Sequence, residues 1–208
     1  MSKYWDEYKL VFYMFRHPID GFYAMKFEKK GRMWVALVNF LLMWISISFN
    51  RQYSSVIVNQ ANPLSYNTLM DGGSVLMLLL LWSVANWSVT SLTNGEGKFK
   101  EIIMANCYAM TPMILTFIPA TLLSNVLSRE ESAFYFLIIN IAIVVFVLLA
   151  FVGMITVHNY TVFKALLTVF LTICAMLVIV FIIALLFTLY QQLITFVMGI
   201  YTEITFRY

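Results

Sequence analysis

Residues 75–94 (VLMLLLLWSVANWSVTSLTN) carry no charge. At about 1.5 Å per residue, 20 residues match the roughly 30 Å hydrocarbon core of a bilayer. Within this run Ser83, Asn86, Thr90 and Thr93 recur at spacings of three and four, which puts four polar groups on one helical face. Lipid offers such groups no partners, so the face must look at other helices. That requirement predicts a bundle of spans. The composition agrees: 11% of residues are charged, where a soluble domain carries about 25%.

Four more runs have the same character. Residues 33–50 are uncharged and include Trp34 and Trp44, a residue type enriched at membrane interfaces. Residues 102–128 hold Pro112 and Pro119, seven apart and so on one face. Each removes a backbone donor and frees a carbonyl one turn earlier, at Tyr108 and Leu115, which predicts kinks. On the same stretch Asn106, Ala109, Met113, Thr116 and Ala120 form a small and polar stripe suited to the Ser83/Asn86/Thr90 face. Residues 133–157 are apolar all round except Asn140 and Gly153, and residues 165–187 offer Ala165, Thr168, Thr172 and Ala175 as one smooth face. Asn62-Pro63 supplies turn chemistry in the longest loop, and Gly95 and Gly97 supply a tight turn after the second span.

The ends read differently. Residues 3–16 mix charge with Trp5, Tyr8, Phe12 and Phe15 near helical spacing, which predicts a helix in the membrane surface with its aromatics down. His17-Pro18 breaks it, and a second short segment restarts over 19–27. No apolar core followed by small residues precedes position 33, so the first span is expected to serve as the insertion signal. After Tyr190-Gln191-Gln192, residues 193–208 are too few to span comfortably, and are expected to form an interfacial helix on which Glu203 and Arg207, four apart, could pair, a sixth span with its charges at the far end being the alternative. The predicted class is an all-α integral membrane protein with five transmembrane helices and amphipathic interfacial helices at both termini. Its divisions are 1–32, 33–190 and 191–208.

Five spans with the N-terminus inside place ten of the 13 Lys and Arg residues on the cytoplasmic side and leave Arg51, Arg129 and Arg207 outside. Positive residues are retained inside, so the asymmetry predicts a cytoplasmic N-terminus and an outer C-terminus. The cluster Lys26, Lys29, Lys30 and Arg32 faces anionic headgroups in this arrangement.

None of the predicted spans contains Asp, Glu, Lys, Arg or His. Membrane ion and proton relays are built from those residues, so an ion-coupled pump is disfavoured. There is no His-Glu-x-x-His, no Gly-x-Ser-x-Gly and no paired intramembrane Asp. The loop NGEGKFKE places Phe99 after Lys98, where a phosphate-binding loop needs Ser or Thr. The sequence therefore offers no catalytic, metal or cofactor residues, no nucleic-acid footprint and no direct nucleotide binding. His158 reads as a helix-end donor. Cys107 and Cys174 fall within spans and do not read as a disulfide framework. The candidate helix-packing or partner-binding residues are Ser83, Asn86, Thr90, Asn106, Pro112, Pro119, Glu203 and Arg207, with the lipid bilayer and other membrane subunits as partners. One function consistent with this pattern is an accessory or scaffold subunit that docks a transporter through the basic inner surface or the outer 193–208 helix. The other is a small-solute or lipid permeation protein that uses the polar faces of spans two and three.

His17-Pro18-x-Asp20-Gly21-Phe22, Trp82-x-x-Ala85-Asn86-Trp87, Gly95-x-Gly97-x-Phe99, Tyr108-x-x-x-Pro112 and His158-x-Tyr160, in this order around five spans, are similar to the bacterial branch of the Yip (Ypt-interacting protein) superfamily. The likeness covers nearly the whole chain. Eukaryotic Yip proteins are five-span proteins that engage Rab-type GTPases, and their acidic Leu-x-Gly-Pro cytosolic motif is missing here. Bacterial members tend to be encoded beside carbohydrate ABC importers. The resemblance thus implies an auxiliary subunit of the bacterial cell membrane with ABC permeases as partners.

Overall fold

The computed structural model describes residues 2–59 and 66–206. Asn62-Pro63 and Arg207, and with Arg207 the pairing expected with Glu203, lie outside the described residues. The chain is all-α: α1 (Ser2–Arg16), α2 (Pro18–Lys26), α3 (Met33–Tyr53), α4 (Thr68–Leu92), α5 (Phe99–Ala109), α6 (Thr111–Ser124), α7 (Ser132–His158) and α8 (Val162–Phe206). Five stretches are long and apolar enough to cross a membrane: α3, α4, α5 with α6, α7, and α8.

The two N-terminal helices are part of the bundle. Pro18 opens α2, which packs on α7, while α1 packs on α2 and touches α5 and α6. Leu10, Val11 and Met14 of α1 and Phe22 and Met25 of α2 are buried in the core. Trp5, Phe12 and Phe15 stay exposed, so the aromatic row faces outward while the aliphatic row does the packing. Glycines permit the closest approaches: a Cβ on Gly21 would meet Met14, and one on Gly153 would meet the Phe22 ring at 2.9 Å. Trp34 and Trp44 are anchored as donors, the first to Glu7 Oε2 (2.8 Å) and the second to the Thr68 carbonyl (2.7 Å).

Helix ends depart most from expectation. Asn67 caps α4, its side chain accepting from the Leu69 and Met70 amides, so the helix starts well before residue 75 and takes in Asp71. At the same end α3 continues to Tyr53 and takes in Arg51. At this end α3 and α4 therefore do carry charges: the Arg51 guanidinium pairs with Asp71, whose carboxylate is 3% exposed.

The third span breaks at Met110. Pro112 cannot donate to the Tyr108 carbonyl, and the Thr111 hydroxyl donates there instead (2.7 Å). Beyond the break α6 packs on α3 and α7, so Met113, Thr116 and Ala120 do not continue the stripe against α4; only the α5 part, with Asn106, faces it. Pro112 is buried and Pro119 exposed, and α6 runs on through Pro119 to Ser124. Finally, α8 passes through Tyr190-Gln191-Gln192 without interruption to Phe206, where a turn and a separate helix were expected. Glutamine is a good helix former, and neither glycine nor proline stands at that point.

Candidate functional site

Three asparagines, each buried or half-buried in a spanning helix, join the elements. Asn39 of α3 accepts from the Tyr8 hydroxyl of α1 (2.9 Å) and donates to the Cys107 carbonyl (3.3 Å) and Thr111 Oγ1 (3.2 Å). Asn50, near the other end of α3, donates to Thr121 Oγ1 of α6 (2.8 Å) and to the Tyr135 hydroxyl of α7 (2.9 Å). Asn86 of α4 donates to Thr172 Oγ1 of α8 (3.3 Å), and its Oδ1 lies 3.1 Å from His158 Nε2 at the end of α7. Where tails of lipid are as apolar as leucine, bonds of this kind and close packing hold helices together.

The Asn86 junction is the most elaborate. His158 is 1% exposed, and the Gly97 amide donates to its Nδ1 (3.3 Å). Nδ1 therefore carries no proton, and the neutral ring donates from Nε2 to Asn86 Oδ1. The 93–98 connection lies directly on this ring. A Cβ on Gly95 would sit 2.6 Å from Tyr160 Oη and 2.7 Å from His158 Nδ1, and one on Gly97 would sit 2.6 Å from His158 Cε1 and from Val157 Cγ1. Only glycine permits that approach. Tyr160 stacks on His158, and its hydroxyl reaches Thr93 Oγ1 (2.8 Å). Asn94 and Asn159 adopt left-handed backbone at the ends of α4 and α7, reversing the chain on both sides of the junction.

A shell of charge closes the end. Glu96 Oε1 accepts from Asn159, and Oε2 pairs with Lys26 of α2 at 3.3 Å. The Asn159 hydrogen bond first, then the bond and charge of Lys26, hold the Glu96 carboxyl below its ordinary range. Lys164 lies over the Tyr160 ring. Below the junction Trp82, Asn86, Asn106, Met154 and His158 surround a cavity of about 10 Å³, close to the volume that one water needs. Asn106 also donates to the Ile102 carbonyl of its own helix (2.9 Å). The described residues contain no group of three or more His, Cys, Asp or Glu able to hold a metal.

Of the residues singled out from sequence, Ser83, Asn86 and Thr90 lie in the bundle interior at no more than 1% exposure. Thr90 bonds only to carbonyls of its own helix, and Ser83 Oγ has no partner among the described residues. Pro112 sits at the α5–α6 break, and Pro119 and Glu203 are exposed and far from the junction. His158, read from sequence as a helix-end donor, donates to Asn86, whereas sequence reasoning passed over Tyr160, Thr172, Asn39 and Asn50 as bonded groups. The signals were Asn39 and Asn50 within a span, and the order of Gly95-x-Gly97 and His158-x-Tyr160.

A helical bundle that turns its polar side chains inward and its apolar ones outward is a multi-pass integral membrane protein. A family model described as the Yip1 domain matches residues 12–186, and the chain belongs to that family. No curated protein and no solved structure matches it.

Proposed function

We propose that this chain is a non-catalytic accessory or scaffold subunit of a membrane transport complex. The family resemblance points to a carbohydrate ABC importer in a bacterial cell membrane. The N-terminus is cytoplasmic and any ATP use belongs to the partner. The observation that carries the reading is the closure of the interior: Asn39, Asn50 and Asn86 are each bonded to other helices, and the cavity beside Asn86 holds about 10 Å³. A permeation path through the same faces needs those side chains turned to a solute. In this reading the docking surface is the inner face, where an open groove of about 1080 Å³ between α1, α2 and the 27–32 connection carries both signs of charge, Lys9, Lys29 and Arg32 beside Glu7, Asp20 and Glu28. Gentle isolation from the native membrane at native expression should recover transporter permease subunits with the chain. Recovery of the chain alone would overturn the proposal.

A further inference from the structure

The two N-terminal helices add mass to one end of the bundle only, and three contacts set their depth. Phe22 of α2 lies against Gly153, about 7.5 Å inside the end of α7. The Tyr8 hydroxyl of α1 donates to Asn39, about 9 Å inside the start of α3. α1 also touches α6, which begins near the middle of the third span. The pair therefore reaches beside the spans into one half of the roughly 30 Å hydrocarbon core. α1 has three sides. Leu10, Val11 and Met14 enter the core of the bundle. Trp5, Phe12 and Phe15, 42–61% exposed, point away from it. Lys9, Tyr13 and Arg16 form an exposed polar strip next to those aromatics. α2 adds Ile19, Tyr23 and Phe27, every fourth residue and 43–67% exposed.

We infer that the α1–α2 pair is a one-sided membrane wedge, which gives the chain a preference for bilayers that are convex on the face carrying its N-terminus. Lipid is what covers the aromatic side: an apolar side at this depth, flanked by a polar strip, is the pattern of a helix embedded at the headgroup boundary. The charge agrees. Residues 1–32 hold seven Lys and Arg against four Asp and Glu, while the rest of the chain holds six of each. The whole positive surplus thus lies where an anionic leaflet attracts it. Two helices about 10 Å across occupy roughly 150–350 Å² of that leaflet, the lower figure if they stand and the higher if they lie. Among the described residues no such pair stands at the opposite end, and α8 is one unbroken helix that crosses both leaflets. Curving the bilayer toward the N-terminal face opens that leaflet and accommodates the added area, so interfacial helices respond to curvature. A free amphipathic helix can instead leave a flat membrane. This pair is held in place by Val11, Met14, Phe22 and Met25 in the core and by Lys26 on Glu96. The wedge stands apart from the accessory role proposed above, and it is defined by the N-terminal face whichever compartment that face meets.

The test is sorting of the full chain on membrane tubes pulled outward from giant vesicles that contain anionic lipid. Reconstitution gives both orientations, and a labelled tag at the N-terminus distinguishes them. Copies with the N-terminus outside sit on the convex face of the tube and should be enriched there at least twofold over copies facing the other way. Equal sorting of the two orientations, or the opposite order, overturns the inference. Embedding is read separately by nitroxide labels on Phe12→Cys, Phe15→Cys or Arg16→Cys, each with Cys107→Ser and Cys174→Ser to remove the free thiols. Labels at Phe12 and Phe15 should meet dissolved oxygen more than a water-soluble nickel chelate, and the label at Arg16 the reverse. Chelate access at all three positions places the aromatic side in water and also overturns it.

Discussion

Replacing Asn86 with leucine separates packing from permeation. The side chain accepts from His158 Nε2 and donates to Thr172, and leucine keeps its approximate volume while removing both functions. The Thr172 hydroxyl still donates to the Thr168 carbonyl (2.7 Å). The His158 N–H has no other acceptor within the junction, because Nδ1 is already used by Gly97. An orphaned buried donor costs about 1–3 kcal/mol, and the lost interhelical bond adds about 0.6 kcal/mol in a bilayer protein. Asn86→Leu should therefore destabilise the bundle by about 1.6–3.6 kcal/mol. Two neighbours on the same face calibrate this value. Ser83→Ala removes a hydroxyl that has no partner and should change stability by less than about 0.5 kcal/mol. Thr90→Val removes a bond to its own helix only and should cost less than about 1 kcal/mol. Reversible unfolding in mixed micelles, followed by circular dichroism, measures all three. If Asn86→Leu folds as well as the parent, or the three substitutions cost the same, the junction does not hold the helices as described.

Gly97→Ala places a methyl against the buried His158 and Val157 side chains and should cost about 1–3 kcal/mol in the same assay. Gly73→Ala meets nothing within 4 Å and should stabilise α4 by about 0.5–1 kcal/mol; a reversed order would refute the close-approach argument. Arg51→Met leaves the buried Asp71 carboxylate without its cation and should cost about 3 kcal/mol. Adding Asp71→Asn should return part of that loss, and a double variant no more stable than the single one would count against the pair.

What was legible followed from strict periodicities. The length demanded by hydrocarbon located five spans, and the 3.6-residue repeat located the buried face of Ser83, Asn86 and Thr90 and that of Ala165, Thr168 and Thr172. Helix ends were not legible, because Asn67 and Asp71 in a polar connection read as loop residues until the cap at Asn67 is seen. Nor was the His158 site, since its partner Asn86 lies 72 positions away and the polar stretch around it resembles an ordinary surface turn. The N-terminal helix was legible on one side only: Trp5, Phe12 and Phe15 stay exposed, while the burial of Val11 and Met14 on the face turned to the core was not read from the sequence.

The distribution of interhelical bonds also ranks the elements by how firmly they are held. α3 is tied at both ends, through Asn39 to α1, α5 and α6 and through Asn50 to α6 and α7. α4 is tied to α7 and α8 at one end through Asn86 and to α3 at the other through Asp71. α8 makes its interhelical side-chain bond at Thr172, and among the described residues the side-chain bonds beyond it stay within α8. Lipid supplies no hydrophobic drive to compensate, so the outer half of α8 is the element least fixed by its own chain. Substitutions at Leu193 and Phe196, which touch no other helix, should therefore leave the melting of the bundle unchanged, while those at Asn86 should lower it.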